Sequence, residues 1–386
     1  MNNPVHPLAL NASDNSVRVI PDGAAQGVPG WWPSWRPGRA EFTVTRLAPG
    51  GNAPHTALVL CAAAGGGEIL VPGSMTTPPA LIADRLPHYA QWNPQGMDVC
   101  YVMPAGRTLA ARVWRAGDAE SRTLTGGMPI FTAWMPTGDR LAVHHGSELA
   151  IFTAASGERQ LISANAGGFR VPAISQSGRW VAYAEVSGET AVVHAYDTQS
   201  AETRRVGEFG GGVVLGFRPG TEVLTVAGAR PGGSRLAPGM HCADLGAPSG
   251  GIEPLVRGPV VAFWWAPSGD RLAVLVPGGL SDGRVQVRFH DADGSPVGAM
   301  ESLSLSNDIR TLGGFFDQFA QSHPLWSPDG RHFTLAGRLI TDGPASSFAD
   351  GPLDCVLTAE AGARAPWQTA ARGFAGFFPP GEVNGG

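Results

Sequence analysis

The residues able to do chemistry are few and scattered. Of the ten histidines, His55, His88, His241 and His323 are the ones that a site assembled from distant segments would draw on, because imidazole serves both as an acid–base group and as a metal ligand near neutral pH. None belongs to an H-E-x-x-H motif. His144 and His145 are adjacent, and neighbours on a strand point to opposite faces, so at most one of them can face a given site. The four cysteines, Cys61, Cys100, Cys242 and Cys355, lie far apart with no C-x-x-C spacing, which leaves buried thiols as the plain reading. The chain contains no lysine, so a Schiff-base lysine and a P-loop lysine are both excluded. A coding bias toward arginine accounts for that absence; avoidance of lysine modification is the competing account.

The densest concentration of candidate groups is SLSLSNDIRTLGGFFDQFAQSHPL. Ser306, Asn307 and Asp308 are suited to cap a helix, Ile309, Leu312, Phe315, Phe316 and Phe319 follow at helical spacing, and Gly313-Gly314 should break or bend it. Its second half brings together Phe315, Phe316, Asp317, Gln318, Phe319 and His323. These six are the candidate partner-binding residues, the aromatic groups and the polar set Asp317, Gln318 and His323 being brought to a partner or to one mouth of a central channel. The competing reading is that the aromatics seat the segment on its own scaffold, since large apolar groups in a loop need burial. Elsewhere, Gly210-Gly211-Gly212 has no helix after it and reads as a β-turn rather than a dinucleotide loop. Asp291 to Gly294 (DADG) lacks the further oxygens and the distal glutamate of a calcium loop and also reads as a turn.

The elements that must position these groups are dictated by a repeat. Trp35, Trp92, Trp134, Ile174, Phe217, Trp265 and Trp326 open the segments WRPGR, WNPQG, WMPTG, ISQSG, FRPGT, WAPSG and WSPDG, at intervals of 57, 42, 40, 43, 48 and 61 residues. Such a period is that of a four-stranded blade, and the long intervals mark insertions near 64–90 and 299–324. In six of the seven motifs proline presets φ for a turn, and in all of them glycine accepts positive φ, so an apolar strand, ending in an aromatic everywhere but at Ile174, is reversed into a second strand. The aromatic is expected to pack between adjacent blades. A second polar turn recurs in ELAIFTAASGERQLI, AVVHAYDTQSAETRRV and VQVRFHDADGSPVGAM and reads as the outer hairpin of a blade. Within the first insertion, LIADRL suggests a short helix.

WSPDG at Trp326–Gly330 and WAPSG at Trp265–Gly269 resemble the TolB-type (WSPDG-repeat) β-propeller family. The resemblance runs as repeats from about Trp35 to Ala371, and it implies a fold rather than an activity. The expected architecture is all-β: one domain over residues 1–386, a seven-bladed β-propeller of four-stranded antiparallel blades. Eight blades is the alternative, because FAGFFPPGEV looks like a partial eighth anchor. Pairing of the N- and C-terminal strands would close the ring.

Composition bounds the function. A net charge of −5 and a pI near 6.1 supply no basic field for nucleic acid. No stretch approaches a membrane span, and the N-terminus lacks a basic region followed by an apolar run, so a cytoplasmic protein without membrane insertion is expected. The expected role is a non-catalytic scaffold that holds a protein or peptide through its insertions, with no cofactor. The alternative is a lyase, lactonase or hydrolase with a divalent metal held in the central channel by side chains from several blades.

Overall fold

The computed structural model describes residues 9–11, 16–19, 26–48, 55–63, 66–76, 82, 86–167, 170–232, 235–247, 251–278, 284–340, 355–362, 367–372 and 375–378. It is an all-β chain of antiparallel sheets with two short helices among the described residues. Two compact units partition it: residues 1–90 with 261–386, and residues 91–260.

The first unit holds three sheets. One is ordered Trp31–Trp35, Glu41–Ala48, His55–Ala62, Glu68–Leu70. A seven-stranded sheet runs Ala262–Trp265, Arg271–Pro277, Val285–Asp291, Pro296–Leu305, His332–Ile340, Cys355–Glu360, Gln368–Arg372. In the third, the last described strand, Gly376–Phe377, pairs antiparallel with Ala9–Asn11, which is followed by Ser16–Val19 and Gln26–Pro29. The first and last described strands are therefore neighbours, in a sheet that carries none of the seven anchors.

Two four-stranded sheets, Tyr89–Trp92 to Arg122–Gly127 and Ile130–Trp134 to Arg159–Ser163, belong with the second unit. A seven-stranded sheet from Ala173–Ile174 to Ile252–Arg257 completes it. At its centre, Thr203–Phe217 is a single 15-residue strand. Its first half pairs with Thr190–Asp197 and its second with Val223–Gly232, with a register break between Gly210 and Val214. The glycine run is thus not the expected turn. It is a bulge that lets one strand end one four-strand group and begin the next, with Gly211 at φ +75°.

The repeated turn has the conformation its residues require. All seven motif glycines, Gly38, Gly96, Gly138, Gly178, Gly220, Gly269 and Gly330, have φ between +65° and +74°, where only glycine sits without strain. The chain reverses within a closed loop: Met135 N donates to Arg140 O and Gly138 N donates back to Met135 O, a pattern repeated at Ser175, Ala266 and Ser327. A second reason for glycine comes from packing. A Cβ on Gly138 would run into Gln95 of the preceding motif, one on Gly178 would press on Pro136, and one on Gly330 on Ser268. At these three positions the turns stack through a residue of one and the bare Cα of the next.

Two of the motif tryptophans link neighbouring sheets in the same way. Trp134 Nε1 donates to Gln91 O, and Trp326 Nε1 to Trp264 O, both at 2.9 Å. In each case the acceptor is the carbonyl just before the previous anchor, Trp92 or Trp265. Each indole so buries its apolar body between sheets while its one donor is satisfied. The outer hairpins form as expected, including Asp291–Gly294, where Gly294 N closes onto Asp291 O.

Candidate interaction site

Both insertions connect the last strand of one four-strand group to the first of the next, and in the first unit they meet. The earlier one is stitched to its own sheet by small polar groups. Ser74 Oγ takes a hydrogen bond from Leu58 N (3.0 Å) and donates to Val71 O (2.7 Å), while Thr76 N donates to Thr56 O (2.9 Å). His88 closes the segment. Its Nε2 lies 2.6 Å from Ser74 O and must carry the proton, which leaves Nδ1 to accept from the Thr45 hydroxyl at 3.3 Å. Burial holds the His88 pKa down to about 4. The helix expected in LIADRL falls mostly outside the described residues.

The later insertion folds as its sequence pattern predicts. Helix α1 (Asn307–Gly314) is capped by Ser306, whose side chain accepts from Ile309 N at 3.2 Å. Ile309 and Leu312 are buried. At Phe315 (φ −130°, ψ 36°) the helix breaks directly after Gly313-Gly314, and a single turn, α2 (Phe316–Phe319), follows.

Of the six candidate partner-binding residues, five are buried and only Phe315 is half-exposed. Phe316 packs edge-on against Phe263 and Trp264. Phe319 stacks on Trp32 with centroids 5.3 Å apart and meets Tyr89 edge-on at 5.6 Å. The Tyr89 hydroxyl donates to Gln318 O at 2.8 Å. His323 is enclosed by Trp32, Phe319 and Phe377, with Phe377 only 4.7 Å away. Burial pushes its pKa down to about 3, against a small opposing contribution from the Trp32 backbone. Asp317 and Gln318 are also buried. Phe316, Asp317, Gln318, Phe319 and His323 are thus built into the unit's own core. What the insertion turns outward is Asn307, Arg310, Gly314, Ala320 and Gln321, beside the half-exposed ring of Phe315.

Two members of this aromatic cluster, Trp32 and Tyr89, have no place in the repeat reading, and Phe377 enters it only within the partial anchor FAGFFPPGEV. A signal for Trp32 was present, because WWPSW offers three tryptophans where the repeat needs one. Trp32 has φ +57°, rare and strained for a bulky residue. It sits where the pairing of Trp31–Trp35 with Glu41–Ala48 slips between Trp31 and Ser34. The bulge turns the indole out of the ladder and onto Phe319.

The chemistry available here is limited by access. Ser322 Oγ lies 2.7 Å from His323 Nδ1, a nucleophile–base distance, but both residues are buried and the imidazole is walled in by rings. His55 Nδ1 lies 3.3 Å from Thr76 O, and His241 packs on Phe209 with its pKa lowered, chiefly by burial. His144 Nδ1 donates to Arg170 O. Among the described residues no three His, Cys, Asp or Glu side chains come together as metal ligands, and no helix is long and apolar enough to cross a membrane.

No family model matches the sequence, and no curated protein matches it. Solved structures do. The chain is similar to an oligogalacturonate lyase from Vibrio parahaemolyticus (11% identity, 86% of this chain and 84% of that one, TM-score 0.53). It is also similar to dipeptidyl peptidase 4 from Porphyromonas gingivalis (10% identity, 87% of this chain, 52% of that one, TM-score 0.54), of which it spans about half the length. TolB from Acinetobacter baumannii aligns at 14% identity over 88% of this chain and 82% of that one, with a TM-score of 0.42. At such identities the likeness to the lyase and the peptidase is one of fold, and it identifies the chain as an all-β protein of propeller type.

Proposed function

We propose that the chain is a single β-propeller domain over residues 1–386 that acts as a non-catalytic interaction module, binding a protein or peptide on the surface formed by its two insertions. The sheet orders favour eight blades: seven carry the anchor motifs, and the eighth contains the first and last described strands. The observation that carries the functional reading is the shared core of the insertions. Tyr89, which ends the first, hydrogen-bonds to and packs on Gln318 and Phe319 of the second, so two irregular segments are locked into one surface. A rigid frame presenting fixed loops is the arrangement by which repeat scaffolds recognise partners. With no basic field on the chain, a protein or peptide fits better than nucleic acid, and nothing in this reading needs a cofactor.

The test changes the outward residues and leaves the core alone. Arg310→Glu and Ala320→Glu alter exposed positions and should leave the melting temperature unchanged. Co-purification from native cell extract, with captured proteins identified by mass spectrometry, should show recovery of the dominant partner at least tenfold lower for the double variant. Unchanged recovery would remove the insertions from the binding surface.

A further inference from the structure

In the second unit a groove of about 670 Å³ opens between the turns of two adjacent sheets, within the range of ligand-sized clefts (about 300–1,000 Å³). One side is built from the WNPQG turn (Asn93 to Asp98) and the loop from Asp118 to Arg122; the other from the WMPTG turn and Thr153–Ala155. None of its lining residues belongs to either insertion. Four of its six charged groups are already committed. Arg115 forks onto both oxygens of Asp98 at 2.9 and 3.1 Å, and Asn93 Nδ2 also reaches Asp98 at 3.1 Å. Arg122 donates to Ser156 O at 2.9 Å, and Asp139 accepts from the Thr137 hydroxyl.

Two carboxylates differ. Asp118 and Glu120 stand exposed on the wall, and among the described residues neither has a side-chain hydrogen bond or ion pair; Asp118 acts on Arg115 only through its field. With Asp98 and Asp139 against Arg115 and Arg122, the lining is net acidic. Val113, Ala154 and the half-exposed thioether of Met97 supply an apolar strip beside it. Lysine and arginine match this pairing, because their stems cover apolar surface while the charged head seeks a carboxylate.

We propose that this groove receives an extended, basic segment of a partner protein, with its lysine or arginine heads at Asp118 and Glu120 and its stems along Met97, Val113 and Ala154. The site is separate from the insertion surface, so each can fail without the other.

The absence of lysine from the chain makes the test clean. Carbodiimide coupling joins a carboxylate to an amine, and here every side-chain amine must come from the probe. The probe is an N-acetylated, C-amidated octapeptide alternating alanine and lysine, with the alanine–glutamate peptide as control. Cross-links on the full chain, mapped by mass spectrometry at low salt, should concentrate at Asp118 and Glu120 and vanish in 0.5 M salt. The double variant Asp118→Asn, Glu120→Gln should weaken binding by about five- to tenfold by fluorescence anisotropy, as for two solvent-exposed ion pairs, with an unchanged melting temperature. The Arg310→Glu, Ala320→Glu variant should bind the peptide normally. Cross-links spread over exposed carboxylates in proportion to exposure would overturn the assignment, as would an affinity within twofold of wild type in the double variant. Spermine binding at the same carboxylates as tightly as the peptide would overturn the peptide as occupant.

Discussion

Lowering the pH from 7 to 5 should unfold this protein's first unit more readily, and the size of the effect follows from two buried imidazoles. His323 is enclosed by three aromatic rings and His88 by the first insertion, with pKa values of about 3 and about 4, against about 6.5 in the unfolded chain. Because burial favours the neutral form, the folded state takes up no proton on these rings until the pH falls to their own pKa. The unfolded state begins to take them up near pH 6.5. The stability they contribute is complete above that value and is lost as the pH falls toward 4 and 3. At pH 5 the unfolded ring is protonated 1.5 pH units below its pKa while the folded one is not, so each histidine removes about 2 kcal/mol relative to pH 7, and the pair about 4 kcal/mol. Carboxylates contribute little in this window, since their unfolded values lie near 4. Urea unfolding followed by tryptophan fluorescence at pH 7, 6 and 5 measures the loss. His323→Gln keeps an acceptor for the Ser322 hydroxyl but cannot titrate. It should be less stable at pH 7 and yet lose about 2 kcal/mol less than wild type on going to pH 5. His88→Gln should do the same independently. If both variants retain the full wild-type loss, the argument from burial is wrong.

Three further substitutions probe the packing. Trp326→Phe leaves Trp264 O without its donor and should cost about 1–3 kcal/mol of unfolding free energy in urea titration. Gly138→Ala should lower the melting temperature for two reasons, positive φ and collision with Gln95; adding Gln95→Ala should restore only the part due to collision, leaving about 1 kcal/mol of backbone cost. Phe319→Ala removes the ring that joins the two insertions and should cost about 3–5 kcal/mol, with hydrogen exchange rising at the Tyr89 and Phe316–His323 amides before it rises in the sheets.

The repeat was legible in the sequence because each of its features has a local cause. A glycine at φ near +70° recurs in all seven turns, and a proline before it and an aromatic at the strand end recur in every motif but ISQSG, because they suit one turn. Ser306 as a cap and the break after Gly313-Gly314 were legible for the same reason, since capping and helix breaking act over a few residues. The aromatic cluster was not. Trp32, Tyr89 and Phe377 lie in three distant parts of the chain, and what brings them to Phe319 and His323 is the stacking of sheets, to which no spacing in the sequence corresponds. The glycine run at 210–212 was misread for a related reason, because a bulge and a turn both call for glycine and only the partner strands decide between them.

The same contrast bears on where specificity resides. The anchors are largely used up by the frame: Trp134 and Trp326 have their indole donors satisfied between sheets, and Gly138, Gly178 and Gly330 are each pressed by the turn before. Binding must therefore draw on groups the frame does not consume, and the two kinds found differ in how they arise. The insertion surface is made by adding residues, and its aromatics are spent holding those residues in place, so on the second insertion Asn307, Arg310, Gly314, Ala320, Gln321 and the edge of Phe315 remain for a partner. The groove needs no insertion. It lies between two ordinary blades and is distinguished only by carboxylates at Asp118 and Glu120 that no arginine answers. A partner reading both would meet the insertion surface through shape and the groove through charge, so raising the salt concentration should weaken the second contact and spare the first.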